Sequence, residues 1–132
     1  MRLQIYPAAM VDQLWHGNAD ALIAAMPRNQ GECTPDQLKM MLMRGEIALV
    51  GSADVWAAVQ FVDHPNMRAL HVYAVASRDT GGGINHGDIA ELAEYARANG
   101  ATAITCSADR SAERLYSRYG FEPIYTTMRI EL

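Results

Sequence analysis

Between residues 80 and 85 the chain reads Thr80-Gly81-Gly82-Gly83-Ile84-Asn85, with an extended run before it (70–76) and a helical run after it (88–98). A strand, a glycine-rich turn and a helix start together make a place for an anion, because the unpaired N–H groups of the first helical turn and the helix dipole converge there. The chemistry this suggests is the holding of a phosphate from a nucleotide or cofactor. Adjacent glycines allow the backbone close to a ligand and admit positive φ values closed to other residues. The same stretch also reads as a flexible turn into a helix. Asp79 and Asp88 bracket it, and like charges at that range oppose a bound phosphate. Arg78 stands beside the turn as a counter-charge. Arg110, Arg114 and Arg118 form an i, i+4, i+8 stripe, which reads either as a phosphate contact or as a solvated helix face. His71, on the strand before the turn and at parity with Tyr73 and Val75, has the unperturbed pKa of a general base, although a strand histidine is commonly a hydrogen-bonded structural residue. His16, His64 and His86 show no ligand-like spacing, and no metal site is expected.

The elements that must position these groups follow from periodicity and punctuation. Residues 2–6 alternate and meet Pro7, as a short edge strand does. Met10, Leu14, Ala21, Leu22, Ala25 and Met26 recur at helical spacing, with Gly17-Asn18 splitting the pattern into two helices and a break over 27–31. Thr34-Pro35-Asp36-Gln37 supplies an N-cap, a proline at the first helical position, an acid in the first turn and a glutamine three after the cap. The helix it opens is expected to run to Arg44 and stop at Gly45. Its methionines, Met40, Met41 and Met43, read as a core-facing set or an adaptable surface. Residues 46–51, 54–63 and 68–76 form an antiparallel meander. The strand 68–76, the helix 88–98 and the strand 101–106 then form a right-handed β-α-β crossover that leaves its two strands parallel. A ligand is expected at the carboxyl ends of that pair, where the glycine turn also lies.

Downstream, Ala112-Glu113-Arg114-Leu115-Tyr116-Ser117-Arg118-Tyr119-Gly120-Phe121 is a short helix ending at a glycine followed by an aromatic. This ordering resembles the GNAT superfamily of acyl-CoA-dependent N-acetyltransferases, whose Ala-x-x-Leu-Tyr-x-x-x-Gly-Phe segment is matched through Ala112, Leu115, Tyr116, Gly120 and Phe121. The family's Arg/Gln-x-x-Gly-x-Gly/Ala loop is matched in part: Thr80 stands at the Arg/Gln position, Gly83 at the first glycine and Asn85 at the last small residue. The resemblance implies a GNAT-like α/β fold, an antiparallel meander plus a parallel β-α-β pair in one mixed sheet with helices on both faces. It implies acetyl-CoA as co-substrate, held by Thr80, Gly81, Gly82, Gly83, Ile84 and Asn85. Tyr116 matches the tyrosine that protonates the leaving thiolate, and it reads equally as a packing tyrosine. His71 stands where some relatives carry a glutamate base, Val75 where a backbone pairs with the pantetheine arm, and Asp109 where many relatives hold the cofactor with an asparagine. An aspartate there keeps an acceptor and lacks the amide donor.

With 132 residues, half of them hydrophobic, the chain reads as one domain, 1–132, with a core of its own. A net charge of −4 and a single lysine, Lys39, argue against nonspecific nucleic-acid binding. Cys33 and Cys106 are far apart in sequence, and the N-terminal residues lack a signal-peptide layout, so a cytoplasmic setting is the expectation, or a virion if the protein is phage-encoded. No apolar run is long enough for a membrane span. Two functions remain. One is N-acyl transfer to an amine on a small molecule or a protein. The other is a catalytically degenerate GNAT-fold module working through protein partners or self-association; motif-poor members of this kind resemble bacteriophage-encoded proteins, including virion components. A different nucleotide-binding fold is disfavoured because the turn lacks Gly-x-Gly-x-x-Gly spacing and a Walker lysine.

Overall fold

A computed structural model of the protein describes residues 3–26, 32–78 and 84–132. Its elements in chain order are β1 (Gln4–Ile5), a 3-10 turn (Ala8–Met10), α1 (Val11–Trp15), α2 (Asp20–Ala24), α3 (Pro35–Met43), β2 (Ala48–Gly51), β3 (Val55–Asp63), β4 (Arg68–Ser77), α4 (His86–Ala98), β5 (Ala103–Cys106) and α5 (Arg110–Ser117). The split at Gly17-Asn18 is present between α1 and α2. The expected break over 27–31, Arg2 of the edge strand, and Asp79, Thr80, Gly81, Gly82 and Gly83 of the glycine turn lie outside the described residues.

The five strands form one sheet in the order β1-β2-β3-β4-β5. The first three junctions are antiparallel and β4 pairs with β5 in parallel, the mixed arrangement that the β-α-β crossover requires. Alternation along the strands sorts the core into two layers. Leu49, Trp56, Ala58, Ala74 and Ala76 pack with Val11, Trp15, Leu22, Leu38 and Leu42 of α1 to α3 on one face. Val50, Val55, Ala57, Val59, Leu70, Val72 and Val75 pack with Leu92 and Ala96 of α4 on the other. Because both faces are covered, β3 is buried continuously over its first five residues and lacks the polar half of a solvent-facing strand.

The helices begin where local chemistry favours it. Thr34 caps α3 in a complete capping box with Gln37, and Pro35 occupies the first helical position. The inward face of α3 is Leu38 and Leu42, both fully buried, whereas Met40 and Met43 stay exposed and only Met41 joins the core layer. Helix α4 starts two residues before the expected position, because Asn85 rather than a later residue is its N-cap. It ends at Asn99-Gly100, where Gly100 takes φ +82° and the Ala101 N–H returns to the Ala96 carbonyl.

A β-bulge at Tyr73 interrupts the β3–β4 ladder: Ala58 pairs with Ala74 and Val59 with Val72, leaving Tyr73 as the extra residue. This corrects the expected parity for Val75 alone, since Tyr73 stays on the face of His71. The inserted residue reverses the alternation, so Tyr73 packs toward α1 to α3 and Val75 toward α4.

Candidate functional site

The site takes shape where β4 and β5 part. Their parallel ladder begins at Ala69 and Ala103 and ends at Val72 and Cys106, while β4 runs on to Ser77 without β5 beside it. The backbone of β4 beyond Val72 therefore has an edge that another extended chain can pair with. Val75 lies in this stretch, and its side chain is buried in the α4 layer. A role for Val75 at the edge would accordingly be a main-chain role.

On the α1 to α3 face, His71 and Tyr73 form a polar group with neighbours from three strands. The Nδ1 atom of His71 lies 3.0 Å from Thr105 Oγ1, and the rings of His71 and Tyr73 meet edge-on at 5.1 Å. The Tyr73 hydroxyl donates to Gln60 Oε1 at 3.1 Å. Burial lowers the His71 pKa, because the charged imidazolium loses solvation. The neutral ring so favoured is the form that accepts a proton. In the tautomer whose Nδ1–H donates to Thr105 Oγ1, Nε2 carries the lone pair that can take a proton.

On the opposite, α4 face stands Tyr116. Helix α5 starts at Asp109, whose side chain accepts the Ala112 N–H at 2.8 Å, and it stops at Gly120 in the left-handed region at φ +92°. The stop folds the chain so that the Phe121 N–H reaches the Tyr116 carbonyl and the two rings lie 5.2 Å apart. Tyr116 packs with Cys106 against the α4 layer. Burial, and next to it the neighbouring Cys106, push its pKa up to about 12. Burial likewise pushes the Cys106 thiol up to about 11. The Tyr116 hydroxyl is thus a protonated donor, and it hydrogen-bonds to no described residue.

The start of α4 is held against the end of α5. The Tyr119 hydroxyl donates to the Ile84 carbonyl at 2.7 Å, and its ring meets His86 at 4.8 Å. Asn85 is committed to the helix itself: its Oδ1 accepts the Asp88 N–H at 2.9 Å, while Asp88 Oδ2 accepts the Asn85 N–H at 3.0 Å. Asp88 is 2% exposed, so this acid lies inside the helix start rather than on a solvent-facing rim. Asn85 and Asp88 therefore satisfy each other's backbone donors, and Ile84 offers its carbonyl to Tyr119. Thr80 and Gly81 to Gly83 lie outside the described residues, and with them most of the expected anion nest.

Arg78 is also committed elsewhere. Its guanidinium donates to the Tyr6 hydroxyl at 2.6 Å and the Ser52 carbonyl at 3.0 Å, and it lies over the Trp56 ring. The stripe on α5 is different: Arg110, Arg114 and Arg118, with Ser111 and Leu115, line an open cleft of about 450 Å³. None of these three arginines is in an ion pair among the described residues. No group of His, Cys, Asp or Glu suited to a metal ion occurs among the described residues. No helix among them is long and apolar enough to cross a membrane.

The sequence reading missed Thr105 and Tyr119. Thr105 sits 34 positions from His71, and only the parallel register makes them neighbours. Tyr119 falls in an unassigned place of the Ala112–Phe121 segment, and its bond to Ile84 also spans two elements.

No family model matches the sequence, and no curated protein is similar to it by sequence. Solved structures are similar in fold. A ribosomal-protein-alanine N-acetyltransferase from Brucella melitensis biovar Abortus 2308 matches with a TM-score of 0.68 at 15% identity, over 100% of both chains. A predicted acetyltransferase from Clostridium acetobutylicum, solved with acetyl-CoA, matches with a TM-score of 0.61 at 16% identity, over 98% of this chain and 95% of that one. An acetyltransferase from Trypanosoma brucei matches with a TM-score of 0.54 at 19% identity, over 99% of each. The mixed five-stranded sheet, its parallel β4–β5 pair and its helices on both faces are the fold of the GNAT acetyltransferases.

Proposed function

We propose that the protein is an acyl-CoA-dependent N-acyltransferase that carries an acetyl group from acetyl-CoA to an amine on a small molecule or a protein. The observation that carries this reading is the placement of two complementary proton-transfer groups on opposite faces of the sheet, at the point where the β4–β5 ladder ends. His71 lies on one face and Tyr116 on the other. The unpaired edge of β4 beyond Val72 suits the amide groups of a pantetheine arm, which can pair with it as a strand does. The unpaired arginines of α5 offer positive charge to phosphate in a chain that is otherwise acidic.

In this reading His71 Nε2 takes a proton from the attacking ammonium or amine, Nδ1 being oriented by Thr105. The amine nitrogen forms the new bond to the acetyl carbon as the carbon–sulfur bond breaks. Tyr116 delivers its hydroxyl proton to the departing thiolate, and it is suited to this because that proton is retained across the physiological range.

Calorimetric titration of the purified protein with CoA and with acetyl-CoA tests the first requirement. Release of free thiol in the presence of a panel of small amines and peptide N-termini tests the second. Binding of both with thiol release on at least one amine is the expected result. Absence of CoA binding at millimolar concentration by a folded protein would support the other reading, a GNAT-fold module without cofactor. One observation favours that alternative: the mutual capping of Asn85 and Asp88 occupies donors that a pyrophosphate would use.

A further inference from the structure

We propose that Tyr119 is a positioning residue for acyl transfer: through the Ile84 carbonyl and the His86 ring it locks the helix that carries Tyr116 to the start of α4. The role rests on the acyl-transfer reading and extends it to a side chain outside the reacting groups. Its basis is how little else holds α5. That helix is eight residues long with no buried residue, and a helix shorter than about 12 residues is marginal without tertiary support. Between residues 110 and 119 only Ala112, Tyr116 and Tyr119 are half-buried, an i, i+4, i+7 face along the helix and its exit. The support therefore rests mainly on two tyrosines three apart.

The two hold α5 in different ways. Tyr116 packs with Cys106 against the α4 layer and meets the Phe121 ring, and its hydroxyl bonds to no described residue. Contacts of that kind resist separation and leave sliding and rotation open, because apolar attraction is non-directional. Tyr119 adds direction. Its hydroxyl donates to the Ile84 carbonyl at 2.7 Å, and its ring meets His86 at 4.8 Å with the planes 68° apart. Among the described residues no other hydrogen bond leaves residues 109–121.

The accepting end is fixed as well. Ile84 precedes the N-cap Asn85, and Ile84 and Ile89 both pack against the α4 layer, at the N′ and N4 positions of a hydrophobic staple. Asn85 and Asp88 close the capping box directly behind it. Proton delivery by Tyr116 requires its hydroxyl at hydrogen-bond distance from the leaving sulfur. The Tyr119 bond, one turn further along the same face, sets where on the α4 layer the Tyr116 ring stands. A misplacement of about 1 Å can cost about a hundredfold in rate.

Tyr119→Phe deletes the hydroxyl and keeps the ring, so the fold is retained. Thiol release with an accepted amine is compared in the parent, Tyr119→Phe, Tyr116→Phe and the double variant. In Tyr119→Phe, kcat should fall about tenfold with both KM values within about twofold, because positioning and not binding is lost. In the Tyr116→Phe background the same change should lower kcat by less than about twofold, since the group it positions is gone. Equal losses in the two backgrounds overturn the proposal. Hydrogen exchange reads the anchor without substrate. The Asn85, Asp88 and Ile89 amides, all bonded at the start of α4, should exchange about two- to tenfold faster in Tyr119→Phe, the size of one lost hydrogen bond. Amides of 92–98 should exchange as in the parent. Unchanged exchange at the start of α4 overturns the anchoring. An active parent whose rate is indifferent to Tyr119→Phe rejects this role alone, whereas a parent that releases no thiol with any amine of the panel rejects the acyl-transfer reading and this role with it.

Discussion

His71 and Thr105 face each other across the parallel β4–β5 ladder, with imidazole Nδ1 3.0 Å from the threonine hydroxyl oxygen, one residue before the ladder ends. The pair orients a ring that burial keeps neutral, at the last point where the two strands are still bound together.

An NMR titration of the His71 ring should give a midpoint below the ordinary 6.5. The linkage has a definite sign. A histidine whose folded pKa lies under its unfolded value adds stability that is present above about 6.5 and is lost as pH falls through the folded value. Melting temperature should accordingly fall between neutral pH and the measured midpoint by less in His71→Gln than in the parent. If His71 is the base, kcat/KM of the parent rises through that same lowered midpoint and is flat above it.

Thr105→Val keeps the shape of the side chain and removes the hydroxyl that orients His71. The expected kinetic signature is a kcat lower by about tenfold with KM little changed, because positioning and not binding is lost. A KM effect of that size with unchanged kcat would contradict an orienting role.

If Tyr116 is the acid of the proposed acyl transfer, Tyr116→Phe should reduce its rate by about a hundredfold or more, the usual worth of a positioned acid. Stability should change by less than about 1 kcal/mol, since the hydroxyl has no hydrogen-bond partner among the described residues and the ring contact with Phe121 remains. With the hydroxyl pushed up to about 12, no alkaline fall in rate from this group is expected below pH ~10. Paired rate and melting measurements check both halves.

The cap of α4 offers a test that separates folding from binding. Asn85→Ala removes the side-chain acceptor of the Asp88 N–H and should cost about 1 kcal/mol, whereas Asn85→Gly should cost only a few tenths. Combining Asn85→Gly with Thr80→Arg should strengthen CoA binding several-fold, by freeing one backbone donor and adding a cation. Denaturant unfolding reads the first effect and calorimetry the second. A folded double variant that binds CoA no better than the parent would remove the support for this loop as a phosphate site.

Gly51→Ala should be destabilising by about 1–3 kcal/mol, as overpacking of a well-filled site is. A Cβ there would come within 2.7 Å of Tyr6 Cε2 and 3.2 Å of Trp56 Cβ. Tyr6 cannot withdraw freely, because Arg78 donates to its hydroxyl. Chemical denaturation of Gly51→Ala alone and in a Tyr6→Leu background checks this, with part of the loss recovered in the second.

Much of the scaffold was legible in the linear chain because its signals are local. The capping box of Thr34 and Gln37, the split at Gly17-Asn18 and the stop at Gly45 each depend on a few adjacent residues. The meander and the parallel crossover followed from strand length and from a helix lying between the last two strands. Helix α4 begins two residues ahead of the 88–98 periodicity because Asn85, a residue of the glycine turn in the linear sequence, closes a cap with Asp88.

What the sequence by itself determined was therefore the order and type of the elements, together with the presence of a tyrosine helix, Ala112 to Phe121, after the second parallel strand. Propensity, capping and periodicity act over a few residues, and they are written in the chain wherever they act. The tertiary structure alone decided which side chains meet. One inserted residue at Tyr73 turned Val75 to the α4 layer, and the register of β5 against β4 set Thr105 beside His71. It also decided that Arg78 serves Tyr6 and Ser52 and that Asp88 is buried inside its own cap. Register and bulges are fixed by packing of both sheet faces at once, a property of residues distant in sequence, and no short-range pattern encodes it.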